Sequence, residues 1–259
     1  MSSGWSTRAG PSSRRRGHVD RDKALGRAKS AFVAGVRGVG AVLSASGPAP
    51  DRRRRVRHWA YSLRLVHDWR GLADLDVPWW TYRAIDAVDD WLSARTRPIR
   101  VFEYGSGAST LWLARRVDEL HTVEHDREFG ARIAPAVANH PNAHLRIVEA
   151  VRSTSPIVPS GKEGYRHWDF AAYVASIDDV EGEFDLVVID GRAREACLGR
   201  ALGRLQPDGL IVFDNSRRAR YRRAIRSAGV TERTMRGLTP TLPYPEQTSL
   251  LSRSTGAAR

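Results

Sequence analysis

The strongest constraint on this chain is an alternation that starts at residue 99. Short apolar runs at residues 99–104, 120–124, 145–149, 184–190 and 210–214 are separated by stretches of helical spacing near 108–118, 127–138 and 192–205. Runs this short suit strands buried on both faces, and the helical stretches supply the crossovers that parallel pairing requires. The pattern predicts an α/β fold with a mostly parallel sheet and helices on both faces. An arginine-rich helix over 216–228 and two further strands near 231–237 and 247–252 follow. Residues 150–181 break the rhythm and are too long for a simple connection, so they are expected to form a local cap or substrate loop.

The first 98 residues follow another pattern. Residues 1–19 are rich in Ser, Gly and Arg and are expected to be disordered. A helical pattern over 20–45 ends at the Pro- and Gly-containing run 46–50. The expected organisation is a basic extension (1–50), a helical lead-in (51–98) with helices over 51–69 and 78–94, and the alternating domain (99–255). The formal charge of +13 points at first to an anionic partner. However, 14 of the 42 Lys/Arg and three of the 29 Asp/Glu lie in residues 1–57, so +11 sits there and +2 in the rest. The arginine runs at 14–16 and 52–55 read either as a solvated tail or as a contact to nucleic acid or anionic lipid. The single cysteine, Cys197, excludes an intrachain disulfide and fits a reducing compartment. No apolar run reaches the roughly 20 residues of a bilayer span. The nearest, 31–43, is interrupted by Arg37 and preceded by Arg27 and Lys29, so the expected location is the cytoplasm.

The first strand runs into Val101-Phe-Glu-Tyr-Gly-Ser-Gly-Ala-Ser-Thr110. Gly105 and Gly107, with Ser106 between them, let the backbone turn sharply and bring a ligand close to the main chain. A dinucleotide fingerprint would put a third glycine at position 110, where Thr stands. Glu103 would repel a pyrophosphate but suits a cofactor with an ammonium group and no phosphate. Glu124 ends the second strand 17 residues beyond Gly107, where a carboxylate can accept both hydrogen bonds of a ribose diol. The competing readings are a helix cap, a role Asp126 already fills, and a surface acid. His125 reads as a wall for an adenine or as a loop histidine.

Asp190, Asp214 and Asn215 end the fourth and fifth strands, which should be neighbours. Three oxygen donors meeting there could hold Mg²⁺. Alternatively, Asp190 orients cofactor or substrate while Asp214 and Asn215 cap the next helix.

The ordered set Glu103-x-Gly-x-Gly107, Glu124, residues 184–190, Pro207-x-Gly209 and Asp214-Asn215 resembles the class I S-adenosylmethionine-dependent methyltransferase family over about residues 95–255. The resemblance implies a Rossmann-like seven-stranded sheet whose last strand is antiparallel, and S-adenosylmethionine as cofactor. Asp190 with Asp214-Asn215 is similar to catechol-type O-methyltransferases, in which the equivalent residues bind Mg²⁺ and draw two substrate oxygens to the methyl group. That subgroup's lysine base follows the first aspartate by three residues. Here Ala193 stands in its place between Arg192 and Arg194, and arginine stays protonated. O-methylation, with a metal or Asp190 acting on the acceptor hydroxyl, is what the resemblance still implies. Tyr165, His167, Trp168 and Tyr173 of the insert are candidate acceptor-pocket residues, with His167 either the one obvious base among them or a packed or solvated loop histidine.

Three functions fit these residues. The first is an O-methyltransferase for a small molecule or glycan. The second is an RNA methyltransferase docked through its basic tail, although no RNA-recognition module is visible. The third is a non-catalytic module binding anionic surfaces, which would need none of Glu103, Glu124 and Asp190.

Overall fold

Phe184-Asp-Leu-Val-Val-Ile189 forms a strand, β6, whose six residues are all buried. That burial marks the middle of a sheet covered on both faces, and the topology bears it out. The computed structural model of the protein describes residues 30–42 and 47–254. In chain order its sheet strands are β1 (Arg100–Tyr104), β2 (Glu119–Glu124), β3 (Ala143–Ile147), β6, β7 (Leu205–Phe213), β8 (Val230–Gly237) and β9 (Glu246–Arg253), with the short β4 (Val151–Arg152) and β5 (Trp168–Asp169) outside it. The order is β3-β2-β1-β6-β7-β9-β8. All pairs from β3 to β7 are parallel, whereas β9 is antiparallel to both β7 and β8. The Rossmann-like seven-stranded sheet with an antiparallel last strand is thus present.

Helices close both faces. On one side α4 (Tyr82–Ser93) and α5 (Ala108–Ala114) pack Ile85, Val88, Trp112 and Leu113 against Val101, Leu186 and Val212. On the other, α7 (Ala171–Ala175), α8 (Arg194–Gly203) and α9 (Ala219–Ser227) pack Tyr173, Cys197, Leu198 and Ile225 against Phe102, Val187 and Phe213. Cys197 is therefore a buried hydrophobe. Further along the sheet, α6 (Arg127–Val137) and α3 (Trp69–Asp74) pack Ile133 and Trp69 around Leu111.

Some elements differ from expectation. The single helix over 51–69 is broken: α2 (Arg55–Ser62) gives way to a 3-10 turn (Leu63–Leu65), and His67 adopts a left-handed φ of 60°. Asp68 then starts α3 by accepting from the backbone N–H groups of Arg70 and Gly71. A strong N-cap signal outweighs a continuous helical pattern. Likewise α4 begins at Tyr82 rather than 78, capped by the Thr81 hydroxyl. Strand β7 starts five residues early and carries Pro207, with a register irregularity against β6 between Phe184 and Leu186.

The insert holds the β4–β5 ladder and α7, a small cap rooted in the core through Phe170 and Tyr173. Residues 30–42 form a helix, α1, and the rest of the helix expected over 20–45, like residues 1–19, lies outside the described residues. Val36 of α1 packs on Leu63 and Val66. Of the arginine run at 52–55, Arg52 pairs with Asp89 at 2.7 Å and Arg55 with Asp86, both on α4. No helix among the described residues is long and apolar enough to cross a membrane.

Candidate functional site

At the carboxyl ends of β1, β2 and β6 the chain opens into a cleft of about 280 Å³, near the lower end of the range of small-molecule sites. It is lined by Gly105–Ser109, Glu124–Asp126 and Asp190–Arg192, faced by Trp69, Trp79, Phe129 and Arg132. The turn after β1 stands at its centre. Gly105 has φ +97°, donates its N–H to the Val123 carbonyl at 2.8 Å, and would bring a Cβ within 2.7 Å of the Gly191 Cα. Only glycine fits that backbone and that approach.

Glu103 is placed differently from expectation. It does not line the cleft but is fully buried behind the turn. Its carboxylate accepts from the hydroxyls of Ser109 (2.5 Å), Thr110 (2.5 Å) and Thr122 (2.8 Å). It therefore ties the turn to α5 and β2 rather than facing a ligand's ammonium group. Burial pushes its carboxyl up to about 7 against the pull of the three hydroxyls. Thr110, at the position where a dinucleotide site would have glycine, also accepts from Gly107 N–H at 2.9 Å.

Glu124 does border the cleft. One oxygen accepts from the backbone N–H groups of His125 (2.8 Å) and Asp126 (2.9 Å), and the other from the Ser106 N–H and hydroxyl, both at 3.1 Å. Burial alone would raise its carboxyl, but His125, Asp126 and Ser106 outweigh it and hold the group below its ordinary value. The Glu124 carboxylate is thus fixed, ionised and aimed at the turn. Asp126 caps α6 through the Phe129 N–H. The His125 ring lies among Tyr165, Phe170 and Tyr173, with Nδ1 2.7 Å from Glu124 but not aligned as a hydrogen bond.

Of the candidates in the insert, Tyr165 and Trp168 line a second cleft with His125, Glu149 and Ala150. Tyr173 is buried in the core, and His167 is exposed and borders neither cleft.

Asp190 lies on the rim, its side chain 21% exposed. Asp214 is buried and accepts from the Thr248 hydroxyl at 2.7 Å. Asn215, beside it, has a left-handed φ of 51°. The cation that joins the two aspartates is Arg194. Its Nη2 lies 2.7 Å from Asp190 Oδ1, and its Nη1 lies 3.9 Å from Asp214 Oδ2. The Mg²⁺ expectation fails this test: a buried guanidinium fills the place between the carboxylates. No group of three or more His, Cys, Asp or Glu among the described residues is set to hold a metal. Enclosure raises Asp190 despite the nearby charges of Arg194, Arg192 and Arg218. Burial, and then the charge of Asp190, push Asp214 up to about 7.

Sequence reasoning missed Arg194, because it sits one residue past the position where a lysine was sought. Nor did it single out Trp69 and Trp79, which fall within the helices expected over 51–69 and 78–94.

The family described as "Methyltransferase domain" matches residues 102–216, a span that holds Glu103, the glycine turn, Glu124, Asp190 and Asp214. Solved structures similar to the chain include a TehB-like SAM-dependent methyltransferase from Corynebacterium glutamicum ATCC 13032 Kitasato, at 17% identity and TM-score 0.43 over 75% of this chain and 98% of that one. An rRNA methylase from Streptococcus thermophilus matches at 13% identity and TM-score 0.45, over 66% and 97%. A precorrin-6y C5,15-methyltransferase from Geobacter metallireducens GS-15 matches at 14% and 0.44, over 66% and 88%. No curated protein matches the sequence.

Proposed function

We propose that this chain, which matches the methyltransferase-domain family over residues 102–216, is a class I S-adenosylmethionine-dependent methyltransferase that methylates a hydroxyl oxygen of a small molecule or glycan. The observation that carries the reading is Asp190, a rim carboxylate beside the glycine turn with one oxygen held at 2.7 Å by Arg194. When bound, S-adenosylmethionine supplies a methyl group made electrophilic by its sulfonium. The residues present fit that cofactor: the turn at Gly105 brings bare backbone to the cleft, and Glu124 offers a fixed carboxylate for a ribose diol. A ribose hydroxyl reaching Glu124 would take over the bond now made by the mobile donor of the set, the Ser106 hydroxyl.

Asp190 would hold the acceptor O–H and take its proton. Its carboxyl, raised by enclosure, is a better base than an ordinary aspartate. Arg194 fixes its rotamer, which supplies positioning at no cost during the reaction. Trp69 and Trp79 give the acceptor an aromatic wall.

The test is transfer of labelled methyl to a panel of hydroxyl-bearing acceptors, with a methyl ether identified by mass. Asp190→Asn, confirmed as folded by circular dichroism, should lower turnover by about 10²–10⁴-fold with the affinity for S-adenosylhomocysteine unchanged. Label appearing on RNA or on a carbon or nitrogen acceptor instead would contradict the reading.

A further inference from the structure

The carboxyl ends of β6 and β7 direct a ring of oxygens at one side chain. Arg194 is 5% exposed. Its Nε donates to the Gly191 carbonyl (3.1 Å), its Nη1 to the Asp214 carbonyl (2.5 Å), and its Nη2 to the Asp190 carbonyl (2.6 Å) and carboxylate (2.7 Å). The second carboxylate oxygen of Asp214 stands 3.9 Å from Nη1. Two carboxylates and three carbonyls, with no nitrogen or sulfur among them, are the all-oxygen shell that a hard divalent cation takes. The guanidinium has five N–H donors in a fixed fork and no acceptor, so it can face such a shell on several sides at once. The backbone places it there: Ala193 adopts a left-handed φ of 47° and is buried, so the chain doubles back toward the strand tips before α8 begins.

We propose that Arg194 is a tethered substitute for a divalent metal ion. It fills the cation position between β6 and β7 permanently, positions Asp190, and makes this methyltransferase metal-independent. Only the last clause rests on the function proposed above; the cation replacement stands on the geometry. A metal ion would exchange with solvent and bring open coordination positions for acceptor oxygens. The arginine does neither, so the acceptor meets Asp190 rather than a Lewis acid.

The experiment uses Mn²⁺ as the probe, with the free ion followed by electron paramagnetic resonance. The wild-type protein should show no saturable site and the same melting temperature with and without Mn²⁺. Arg194→Gln removes the cation but leaves the oxygens, so it should melt lower, bind Mn²⁺ and recover stability on its addition. Arg194→Lys keeps a charge and should stay unresponsive. If Arg194→Gln does not fold alone, it is refolded with Mn²⁺ present; recovery of folded protein supports the proposal and continued aggregation overturns it. A saturable Mn²⁺ site in the wild type that Asp214→Asn removes would overturn it, as would a folded Arg194→Gln that takes up no Mn²⁺. Methyl transfer should be unchanged by chelator, and chelator-sensitive transfer would count against the proposal. Binding of S-adenosylhomocysteine reports separately on the methyltransferase reading, since no metal outcome depends on it.

Discussion

At the scale of single residues, the site is built by polar groups that are buried and satisfied rather than open. Glu103 shows the consequence for stability. Its folded value of about 7 lies above the ordinary 4.5, so the unfolded chain releases this proton first as pH rises. The contribution of Glu103 to stability is therefore full at low pH and declines between about 4.5 and 7. Glu103→Gln should flatten that part of the melting-temperature profile relative to wild type. Identical slopes in the two proteins would show that Glu103 is ionised throughout. Gly105→Ala tests the turn itself: the left-handed φ and the 2.7 Å approach to Gly191 should cost about 1–3 kcal/mol and abolish binding of S-adenosylhomocysteine. An alanine variant with normal melting and binding would mean that the turn can relax. Residue identity made Gly105 and Glu124 legible in the sequence, because each has a requirement that few side chains meet. The partners of Glu103 were not legible. A carboxylate two residues before a glycine turn can face the ligand or the core, and only the positions of Ser109, Thr110 and Thr122 decide between them.

At the scale of elements, α1 docks on the 3-10 turn that follows α2. Val36 packs on Leu63 and Val66, Arg37 donates to the Val66 carbonyl at 3.1 Å, and Gly40 lies so close that a Cβ would stand 2.7 Å from the Arg64 backbone nitrogen. Gly40→Ala should lift the helix away. Burial of one valine is worth about 1.5–3 kcal/mol, so the melting temperature should fall by about 3–10 °C while affinity for S-adenosylhomocysteine stays as it was. Loss of affinity would tie α1 to the cleft as well as to the turn after α2. The strands were legible because parallel, doubly covered strands carry unbroken apolar runs, and β6 is buried throughout. The break between α2 and α3 was not, because the apolar spacing continues through it while the backbone turns at His67 and Asp68. Arg194 was hidden for a related reason: a left-handed residue at Ala193 changes which side chain points back at the strand tips, and spacing alone does not record it.

At the scale of the whole molecule, the sheet order puts β1 beside both β2 and β6. Strands on the two sides of β1 are entered from opposite directions along the chain, and ligands bind in open α/β sheets outside the carboxyl ends at such a point. That single topological fact gathers the glycine turn, Glu124 and Asp190 into one cleft from positions far apart in sequence. The lead-in segment, given no part in the site by sequence reasoning, completes the wall with Trp69 of α3 and Trp79 just before α4. The role proposed for Glu124 is to hold the adenosyl cofactor in this cleft. Calorimetric titration of S-adenosylhomocysteine into wild type and into a folded Glu124→Ala variant tests it most directly. Hydrogen bonds to a charged group contribute about 1.5–3 kcal/mol, so the variant should bind at least about tenfold more weakly. Equal affinity in the two proteins, or no binding by the wild type, would contradict the account.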